Sequence, residues 1–386
     1  QEITAEDIEA VIEALKSDFI TQGPKVPQFE KAVAHKVGAK HGVAVNSATS
    51  ALHLACRALE LAPGDIVWTS PITFVASANC ARYCGADIDF VDIDPRTYNM
   101  SINALEEKLI SAERNGKLPK IVIPVHLCGQ SCEMAPIAEL AKRYNFAIIE
   151  DASHAIGGRY KSEPVGSCRY SDIAVFSFHP VKIITTAEGG MAMTNDDGLA
   201  RQMALLRSHG ITREQERMTH QSEGPWYYQQ IDLGYNYRMT DIQAALGLKQ
   251  LNRLDEYVDN RNFLAGRYDE ALTNLPVIVP WQHPETYSAF HLYPIRIAYE
   301  QAAITRDDLF DMLHAKGIGV NVHYIPVHLQ PYYRGLGFAP GDYIEAEKYY
   351  TESLTLPLFP TMGMKVQDEI LSALKKIFAP NKYRFE

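Results

Sequence analysis

The chain of 386 residues is 46% hydrophobic and 22% charged, which is ordinary for a globular protein and long enough for one large domain and a smaller one. Its formal net charge of −10 argues against nucleic acid or an anionic membrane as the main partner, because both carry negative charge themselves. No apolar run is long enough to span a bilayer, so we expect no membrane-spanning segment.

The six cysteines include two Cys-x3-Cys pairs, Cys80/Cys84 and Cys128/Cys132. Structural zinc sites more often use Cys-x2-Cys spacing, and no matching Cys/His knuckle accompanies these pairs. We therefore expect buried free thiols and no metal site. Free thiols fit a reducing cytoplasm, and we expect no secretory signal peptide, although the chain opens abruptly at Gln1.

The first part of the chain alternates strands and helices. Thr4 can cap a helix, and Phe19–Pro27 is expected to be a loop whose Thr21 and Gln22 could line a site. Apolar runs predict strands at Val43–Asn46, Ile66–Phe74, Ile88–Val91, Ile121–Val125 and Ala147–Asp151. Helices are expected from Ser47, from about Val75, over Leu105–Ala112 and over Ile137–Tyr144. This alternation predicts an α/β fold with a largely parallel sheet and helices on both faces.

The turn after the first strand has two interpretations. Ser47-Ala-Thr-Ser opens a helix, and the first N–H groups of a helix point outward while its dipole favours negative charge. Ala48 and Thr49 would then lie in an anion site. Simple N-capping by Ser47 or Thr49 explains the same residues, and the local sequence alone favours that interpretation.

Asp151 ends a predicted strand and is followed by Ala152-Ser153-His154. A carboxylate at the carboxyl end of a strand is well placed to face a ligand in an α/β fold. The alternative is a helix or turn cap, a role that aspartate often takes and that Asp241 could also fill.

Lys182 lies on a loop between two apolar strands, Ile173–Phe178 and Met191–Thr194, and the pair Gly189-Gly190 ends that loop. A lysine with apolar neighbours is either exposed or desolvated, and desolvation lowers the pKa of its amine. A neutral amine can attack a carbonyl and form a Schiff base. Loops of this kind are where α/β folds place their chemistry.

The rest of the chain predicts a second, smaller unit. Residues 208–230 are a long polar excursion, and long loops in compact domains often carry function. Thr240 can cap the next helix, and we place the domain boundary near Leu251–Asn260, between a large domain 1–250 and a small domain 251–386. The small domain is expected to be α+β, with strands at His291–Ile297 and Gly319–His328, a helix from Thr305 to Lys316, and a final helix through Val366 and Phe378.

One cofactor uses all of these features together. Pyridoxal phosphate (PLP) has an aldehyde for a lysine, a phosphate for a helix N-terminus, a pyridine nitrogen that works best protonated beside a carboxylate, and a ring that packs on an aromatic neighbour. Lys182, the Asn46–Thr49 turn, Asp151 and Phe74 supply these four parts. No single match is specific, but their combination in one α/β chain predicts a PLP enzyme.

The chain also resembles the sugar-nucleotide aminotransferases of the DegT/DnrJ/EryC1/StrS family, over nearly its whole length. The matching motifs are Asn46-Ser-Ala-Thr-Ser-Ala-Leu, Ser70-Pro-Ile-Thr-Phe74, Glu150-Asp-Ala-Ser-His154, Ser177-Phe-His-Pro-Val-Lys182, Glu188-Gly-Gly and Gly234-Tyr-Asn-Tyr-Arg-Met-Thr-Asp. The resemblance implies a PLP-dependent fold of type I, with a large domain built on a mostly parallel sheet and a smaller α+β C-terminal domain.

Within the family, the chain is most similar to members of the pseudaminic acid pathway, through Gly224-Pro-Trp-Tyr-Tyr228 and Gly319-Val-Asn-Val-His-Tyr-Ile-Pro-Val-His-Leu. This similarity implies transfer of an amino group from L-glutamate to C4 of a UDP-linked 4-keto-6-deoxy sugar, UDP-2-acetamido-2,6-dideoxy-β-L-arabino-hex-4-ulose. The alternatives are another keto-sugar aminotransferase, acting at C3 or on a TDP- or GDP-sugar, and a non-catalytic sensor or regulator. A sugar dehydratase of this fold is disfavoured, because such relatives replace the lysine with histidine and Lys182 is present.

The resemblance implies cofactor roles for individual residues. Lys182 holds PLP through a Schiff base and then moves a proton between the cofactor and the sugar. Asp151 pairs with the pyridinium nitrogen, Phe74 stacks on the ring and His154 lies close to it. Contacts with the phosphate come from Ala48, Thr49 and Ser177.

The same resemblance extends to the partner and the substrate. Asn236 is similar to a family asparagine that reaches the phosphate across a dimer interface, so a homodimer with shared sites is expected. The residues expected to line the substrate are Thr21, Gln22, Asn321, His323 and Tyr324. His323 is also open to a purely structural interpretation.

Two departures from the family pattern stand out. Ala187 occupies a loop position where relatives usually have glycine, and it would be strained if that position requires a positive φ. A tyrosine that relatives commonly carry in an N-terminal segment would precede Gln1, so its substrate contact is not assigned.

Overall fold

The computed structural model of the protein describes residues 1–379. The α-helices are α1 (Ala5–Lys16), α2 (Lys25–Val37), α3 (Ala48–Ala58), α4 (Ala76–Tyr83), α5 (Ile102–Asn115), α6 (Met134–Tyr144), α7 (Asp197–Leu206), α8 (Asp241–Leu251), α9 (Leu254–Leu272), α10 (Arg306–His314), α11 (Pro331–Arg334), α12 (Ile344–Glu352) and α13 (Met364–Phe378). The strands are β1 (His41–Val45), β2 (Ile66–Thr69), β3 (Asp87–Phe90), β4 (Ile121–Ile123), β5 (Ala147–Asp151), β6 (Arg159–Tyr160), β7 (Glu163–Pro164), β8 (Ile173–Ser177), β9 (Gly190–Thr194), β10 (Ile211–Thr212), β11 (Gln229–Gln230), β12 (Val277–Ile278), β13 (Thr286–Tyr287), β14 (Tyr293–Ile297) and β15 (Ser353–Leu356).

A seven-stranded sheet forms the centre of the molecule, in the order β1-β9-β8-β5-β4-β2-β3. The five strands from β3 to β8 pair in parallel, whereas β9 runs antiparallel to both β8 and β1. The predicted largely parallel α/β sheet is therefore confirmed. Strands β8 and β9 are buried along their whole length, which explains why they appear in the sequence as continuous apolar runs.

Side-chain alternation along the strands divides the core between the two faces of this sheet. Val43 and Val45 of β1 pack in the cluster that contains α3, whereas Ala44 between them packs in the cluster that contains α2. Successive strand residues point to opposite faces, so both faces need an apolar cover. Helices α2 and α3 supply it and place the N-terminus of α3 beside the central strands.

Helix α2 corrects one expectation, because the predicted loop Phe19–Pro27 ends where α2 begins, at Lys25. Pro27 lies in the first turn, where a missing N–H costs little. No local side chain caps this helix; instead Asp241 accepts hydrogen bonds from the N–H groups of Gly23 and Lys25, each 2.7 Å long. Asp241 is thus a cap, as one interpretation of the sequence held, but for a helix far away in the chain.

Two predicted strands are wrong in part. The strand expected over Ile66–Phe74 ends at Thr69, because Pro71 offers no N–H to a ladder. The structure describes Gly319–His328 but shows no strand there. Within this segment only Asn321 forms a β-bridge, and its partner is Thr355. Alternating apolar residues in that segment contact the C-terminal core without pairing along a neighbouring strand.

The caps at Thr4, Thr240 and Thr305 are confirmed, and each belongs to a full capping box. Residues after α9 add a three-stranded antiparallel sheet, β12-β14-β15, which packs with α9, α10 and α13 around its own apolar cluster. The proposed division into domains 1–250 and 251–386 remains a prediction. All six cysteines are buried and free.

Within residues 1–379, no helix is both long and apolar enough to cross a bilayer.

Candidate active site

A cavity of about 320 Å³ lies at the carboxyl ends of β5 and β8, beside the N-terminus of α3. This edge of a parallel sheet is where α/β folds bind ligands, and the volume suits a small cofactor. The structure brings together at this cavity eight of the residues singled out in the sequence: Ala48, Thr49, Phe74, Asp151, His154, Ser177, Lys182 and Tyr324.

The N-terminus of α3 forms one wall of the cavity. Ser47 is the N-cap and accepts a hydrogen bond of 3.1 Å from the N–H of Ser50, so the capping interpretation is correct. Ala48 and Thr49 lie in the first turn, whose N–H groups have no partner within a helix. Capping and cavity lining therefore occur together at this turn, and the dipole of α3 favours an anion there.

Gly190 allows the sheet to approach this helix start closely. A Cβ atom at Gly190 would lie 2.4 Å from the backbone nitrogen of Ala48, which no side chain could tolerate. Gly190 pairs with Ser177 across β8 and β9, so the approach also brings Ser177 to the cavity. The glycine pair after the lysine loop thus shapes the anion-binding end of the cavity.

Lys182 provides an amine among the residues that line the cavity. Its backbone N–H donates to the carbonyl of His179 at 2.9 Å, which closes a tight turn after β8. The residue is only partly buried, yet its amine is desolvated, and desolvation lowers its pKa to about 8, opposed by the negative charge of Asp151. An appreciable fraction of neutral amine is consequently present near neutral pH.

Asp151 is buried and held by two donors. The hydroxyl of Ser77 donates to its Oδ2 at 2.6 Å, and the N–H of Ser153 donates to its Oδ1 at 3.1 Å. Hydrogen bonds to a carboxylate favour its charged form. Ser77 was missed in the sequence; the available signal was its position one helical turn after Phe74, at the start of α4.

Strand alternation selects Asp151 over the adjacent carboxylate. Glu150 points to the other face of β5, where its Oε2 lies 2.7 Å from Nε2 of His126 and its Oε1 is close to the hydroxyl of Ser171. Successive side chains of a strand face opposite sides, so only one of the two acids can reach the cavity. The sequence pair Glu-Asp therefore provides one carboxylate to the site and one to the core.

Phe74 lies at the mouth of the cavity with 58% of its surface exposed. Its ring centroid is 6.3 Å from that of Tyr324, at an interplanar angle of 58°, so the two rings do not stack on each other. An exposed aromatic face in a cavity with an amine and a carboxylate suits a planar ring as ligand.

One buried histidine, His154, lines the cavity, and a second, His291, lies beside it. The ring of His154 lies 4.5 Å from that of His291, and burial, followed by the positive charge of Lys182, holds the pKa of His154 well below its usual range. Burial likewise lowers the pKa of His291. His154 accepts a hydrogen bond of 3.3 Å at Nδ1 from the N–H of Cys128, and its Nε2 lies 3.1 Å from the hydroxyl of Tyr324.

The other predicted site residues do not line this cavity. Thr21, Gln22, Asn236 and Asn321 are exposed. His323 is partly buried, with its Nδ1 2.9 Å from the hydroxyl of Thr355, and burial lowers its pKa to about 4, aided by the charge of Lys182. The binding roles of these five residues remain predictions.

Ala187 has a φ of +67°, so the loop position after Lys182 does require the left-handed conformation that favours glycine. Its N–H donates to Oγ1 of Thr185 at 3.0 Å, and the hydroxyl of Thr185 donates to the carbonyl of Phe178. These hydrogen bonds hold the strained residue in place.

The cavity fits PLP part by part. The amine of Lys182 suits the aldehyde, the start of α3 suits the phosphate, Asp151 suits the pyridinium and the open face of Phe74 suits the ring. The close approach of Gly190 to Ala48 leaves the helix start clear for an anion. Such a cavity in an α/β fold of this topology is typical of PLP-dependent aminotransferases.

The comparisons with known proteins agree with this class. The DegT/DnrJ/EryC1/StrS aminotransferase family matches residues 1–375, and the chain belongs to this family of PLP-dependent sugar aminotransferases. The structure of PseC from Helicobacter pylori, an aminotransferase involved in the biosynthesis of pseudaminic acid, aligns with a TM-score of 0.88 and 32% identity, covering 98% of this chain and 97% of that one. The expected type I fold is thereby confirmed.

Three curated relatives are similar over nearly their whole length. The spore coat polysaccharide biosynthesis protein SpsC of Bacillus subtilis is 41% identical, covering 97% of this chain and 95% of its own. The UDP-4-amino-4,6-dideoxy-N-acetyl-beta-L-altrosamine transaminase of Campylobacter jejuni is 38% identical, with coverage of 98% and 97%. The GDP-perosamine synthase of Caulobacter vibrioides is 40% identical, with coverage of 95% and 94%.

Proposed function

We propose that the protein transfers an amino group from L-glutamate to C4 of UDP-2-acetamido-2,6-dideoxy-β-L-arabino-hex-4-ulose, a step of pseudaminic acid biosynthesis. The observation that carries the proposal is the Campylobacter jejuni transaminase of this sugar series, 38% identical over 382 residues. The similarity in fold to PseC from Helicobacter pylori supports the same substrate class. We propose the cytoplasm as its compartment, which suits six free thiols.

We assign the cofactor contacts as follows. Lys182 would hold the aldehyde carbon, Asp151 would pair with the ring nitrogen, Phe74 would pack against the ring and His154 would lie close to it. Ala48, Thr49 and Ser177 hold the phosphate. When bound, PLP supplies an electron sink for the charge left on a carbon that loses its proton.

We propose that Lys182 is also the base that moves the proton. An amine whose pKa is about 8 can accept a proton from carbon and return it near neutral pH. Asp151, which accepts hydrogen bonds from Ser77 and Ser153, would stabilise a proton on the ring nitrogen of the cofactor.

A second copy of the chain is the proposed source of one contact. Asn236 is exposed and does not line the cavity of its own chain, so a phosphate contact from it requires a homodimer with shared sites. Exposed apolar side chains nearby in the sequence, Leu233 and Trp226, suit burial against a partner. Substrate contacts are proposed for Thr21, Gln22, Asn321, His323 and Tyr324.

The substrate assignment has one competitor with its own support. The GDP-perosamine synthase of Caulobacter vibrioides is 40% identical, so a GDP-linked 4-keto sugar is the second candidate. We would incubate the purified protein with PLP, L-glutamate and either the UDP- or the GDP-linked 4-keto sugar, and identify products by NMR. We expect a 4-amino UDP-sugar. An amino sugar formed only from the GDP-linked substrate would reject the proposed substrate.

A further inference from the structure

Tyr324 differs in origin from the rest of the cavity. Among the described residues that line the cavity, it is the one contributed by the last third of the chain, whereas the others lie between Ser47 and Gly189. Its segment is fixed on both sides: the N–H of Val327 donates to the carbonyl of Pro71 at 2.8 Å, and the hydroxyl of Tyr349 donates to the carbonyl of His323 at 3.0 Å. The phenol is therefore held in the cavity by the protein itself.

The tautomer of His154 determines which way the hydroxyl of Tyr324 points. The backbone N–H of Cys128 can only donate, so Nδ1 of His154 must accept and carries no hydrogen. Burial keeps the imidazole neutral, which leaves its single hydrogen on Nε2. Nε2 therefore donates to the oxygen of Tyr324, 3.1 Å away.

The hydroxyl hydrogen of Tyr324 is consequently free for a ligand. Since its oxygen accepts from His154, the hydrogen cannot point at that ring, and the described residues offer the hydroxyl no other hydrogen-bond partner. Burial raises the pKa of Tyr324, so the phenol keeps its proton. Lys182 lines the same cavity.

We infer that Tyr324, oriented by His154, donates a hydrogen bond to the carbonyl oxygen of the molecule that exchanges its amino group at Lys182. This inference rests on the proposed function, in which a keto oxygen leaves as water when the sugar is aminated and a water oxygen enters when glutamate becomes 2-oxoglutarate. The oxygen occupies the same place in both half-reactions and attracts a donor as charge gathers on it. Tyr324 retains its proton, and His154 is a positioning residue.

The first test uses Tyr324→Phe in the PLP-loaded protein, with Tyr332→Phe as the matched control, because Tyr332 is exposed and lies outside the cavity. We expect Tyr324→Phe to keep the visible absorbance of bound PLP but to slow both half-reactions by about 10-fold to 100-fold, the usual effect of losing one donor to a developing charge. Tyr332→Phe should leave both rates unchanged. Wild-type rates in Tyr324→Phe, or loss of the bound cofactor, would overturn the inference.

The second test does not depend on activity. Nitrogen NMR of the histidines, with His154 assigned by comparison with His154→Gln, should show hydrogen on Nε2 and none on Nδ1. In Tyr324→Phe the Nε2 resonance should shift, because its acceptor is gone. Hydrogen on Nδ1 would overturn the orientation argument. A wild-type protein that fails to react with glutamate would reject the proposed function, and the NMR result would still decide how Tyr324 is oriented.

Discussion

Burial lowers the pKa of the basic groups on both sides of the cavity, but a neighbouring negative charge opposes that shift on only one of them. On one side Lys182 and Asp151 carry opposite charges, and the negative charge of Asp151 limits the loss of the lysine's proton to a pKa of about 8. On the other side the cavity-lining His154 is buried beside His291, and the pKa values of both fall well below the usual range. The first side can change its charge during a reaction, whereas the second offers fixed dipoles in a neutral environment.

Removing the amine should have the largest effect on the charged side. Lys182→Ala should abolish turnover, because the same amine both holds the cofactor and moves the proton. Lys316→Ala, a change at an exposed lysine outside the cavity, should have no effect on steady-state rates. If Lys182→Ala turns over at the wild-type rate, another group must be the base.

Neutralising the carboxylate should come next. Asp151→Asn should lower kcat by about 100-fold or more, because the amide cannot stabilise a protonated ring nitrogen. Ser77→Ala removes a single hydrogen bond of 2.6 Å to Asp151 and should lower kcat by about 10-fold. Steady-state rates rank the three proteins. Equal rates for Asp151→Asn and the wild type would show that a different carboxylate pairs with the ring nitrogen.

The buried histidines at and near the cavity should be tested by acid. The pKa of His323 falls from 6.5 to about 4 on folding, and those of His154 and His291 also fall, so the unfolded chain binds protons first as the pH drops. Stability from His323 is complete above pH 6.5 and is lost as the pH falls from 6.5 towards 4. Thermal unfolding should show that Tm decreases as the pH is lowered from 6.5 towards 4.

His323→Gln sharpens the acid test. Glutamine does not titrate, so the slope of Tm against pH between 6.5 and 4 should become shallower than in the wild type. An unchanged slope would mean that His323 is protonated equally readily in the folded and unfolded chains.

The smallest expected effect lies in the loop that carries the lysine. Ala187→Gly should raise the free energy of unfolding by up to about 1 kcal/mol, because glycine adopts a positive φ without the penalty of a Cβ. Ala138→Gly within α6 should instead lower it by about 0.5–1 kcal/mol. Denaturant unfolding measures both free energies. If Ala187→Gly is destabilised, the strain at Ala187 costs less than the conformational entropy that glycine adds to the unfolded chain.

Local sequence patterns pointed to the charged side, whereas His154 and Tyr324 on the neutral side were expected only through the family resemblance. Asp151 ends the apolar strand β5, and Lys182 follows the apolar strand β8. Local patterns therefore place both residues at one edge of a parallel sheet. Tyr324 lies in a segment wrongly predicted to be a strand, and long-range hydrogen bonds to Pro71 and from Tyr349 hold that segment in place. The spacing of residues along the chain cannot predict such long-range hydrogen bonds.

Two further misses have the same physical cause. Ser77 acts through a hydrogen bond to Asp151, 74 residues away, and the start of α2 is capped by Asp241, more than 200 residues away. Local propensity predicts which segments are helices, but it cannot identify a cap or a donor supplied by another element. The same limit applies to contacts between chains. The contact proposed for Asn236 requires a second copy of the protein, and local propensity cannot predict it.

The most direct test of the central claim is the absorbance spectrum of the purified, PLP-supplied protein before and after L-glutamate is added, followed by the UDP-linked 4-keto sugar. We predict a visible band that disappears with glutamate and returns with the sugar, because the amino group is first taken up and then passed on. A protein that stays colourless with PLP would contradict the assignment of Lys182. A coloured protein unchanged by glutamate would contradict the proposed amino donor.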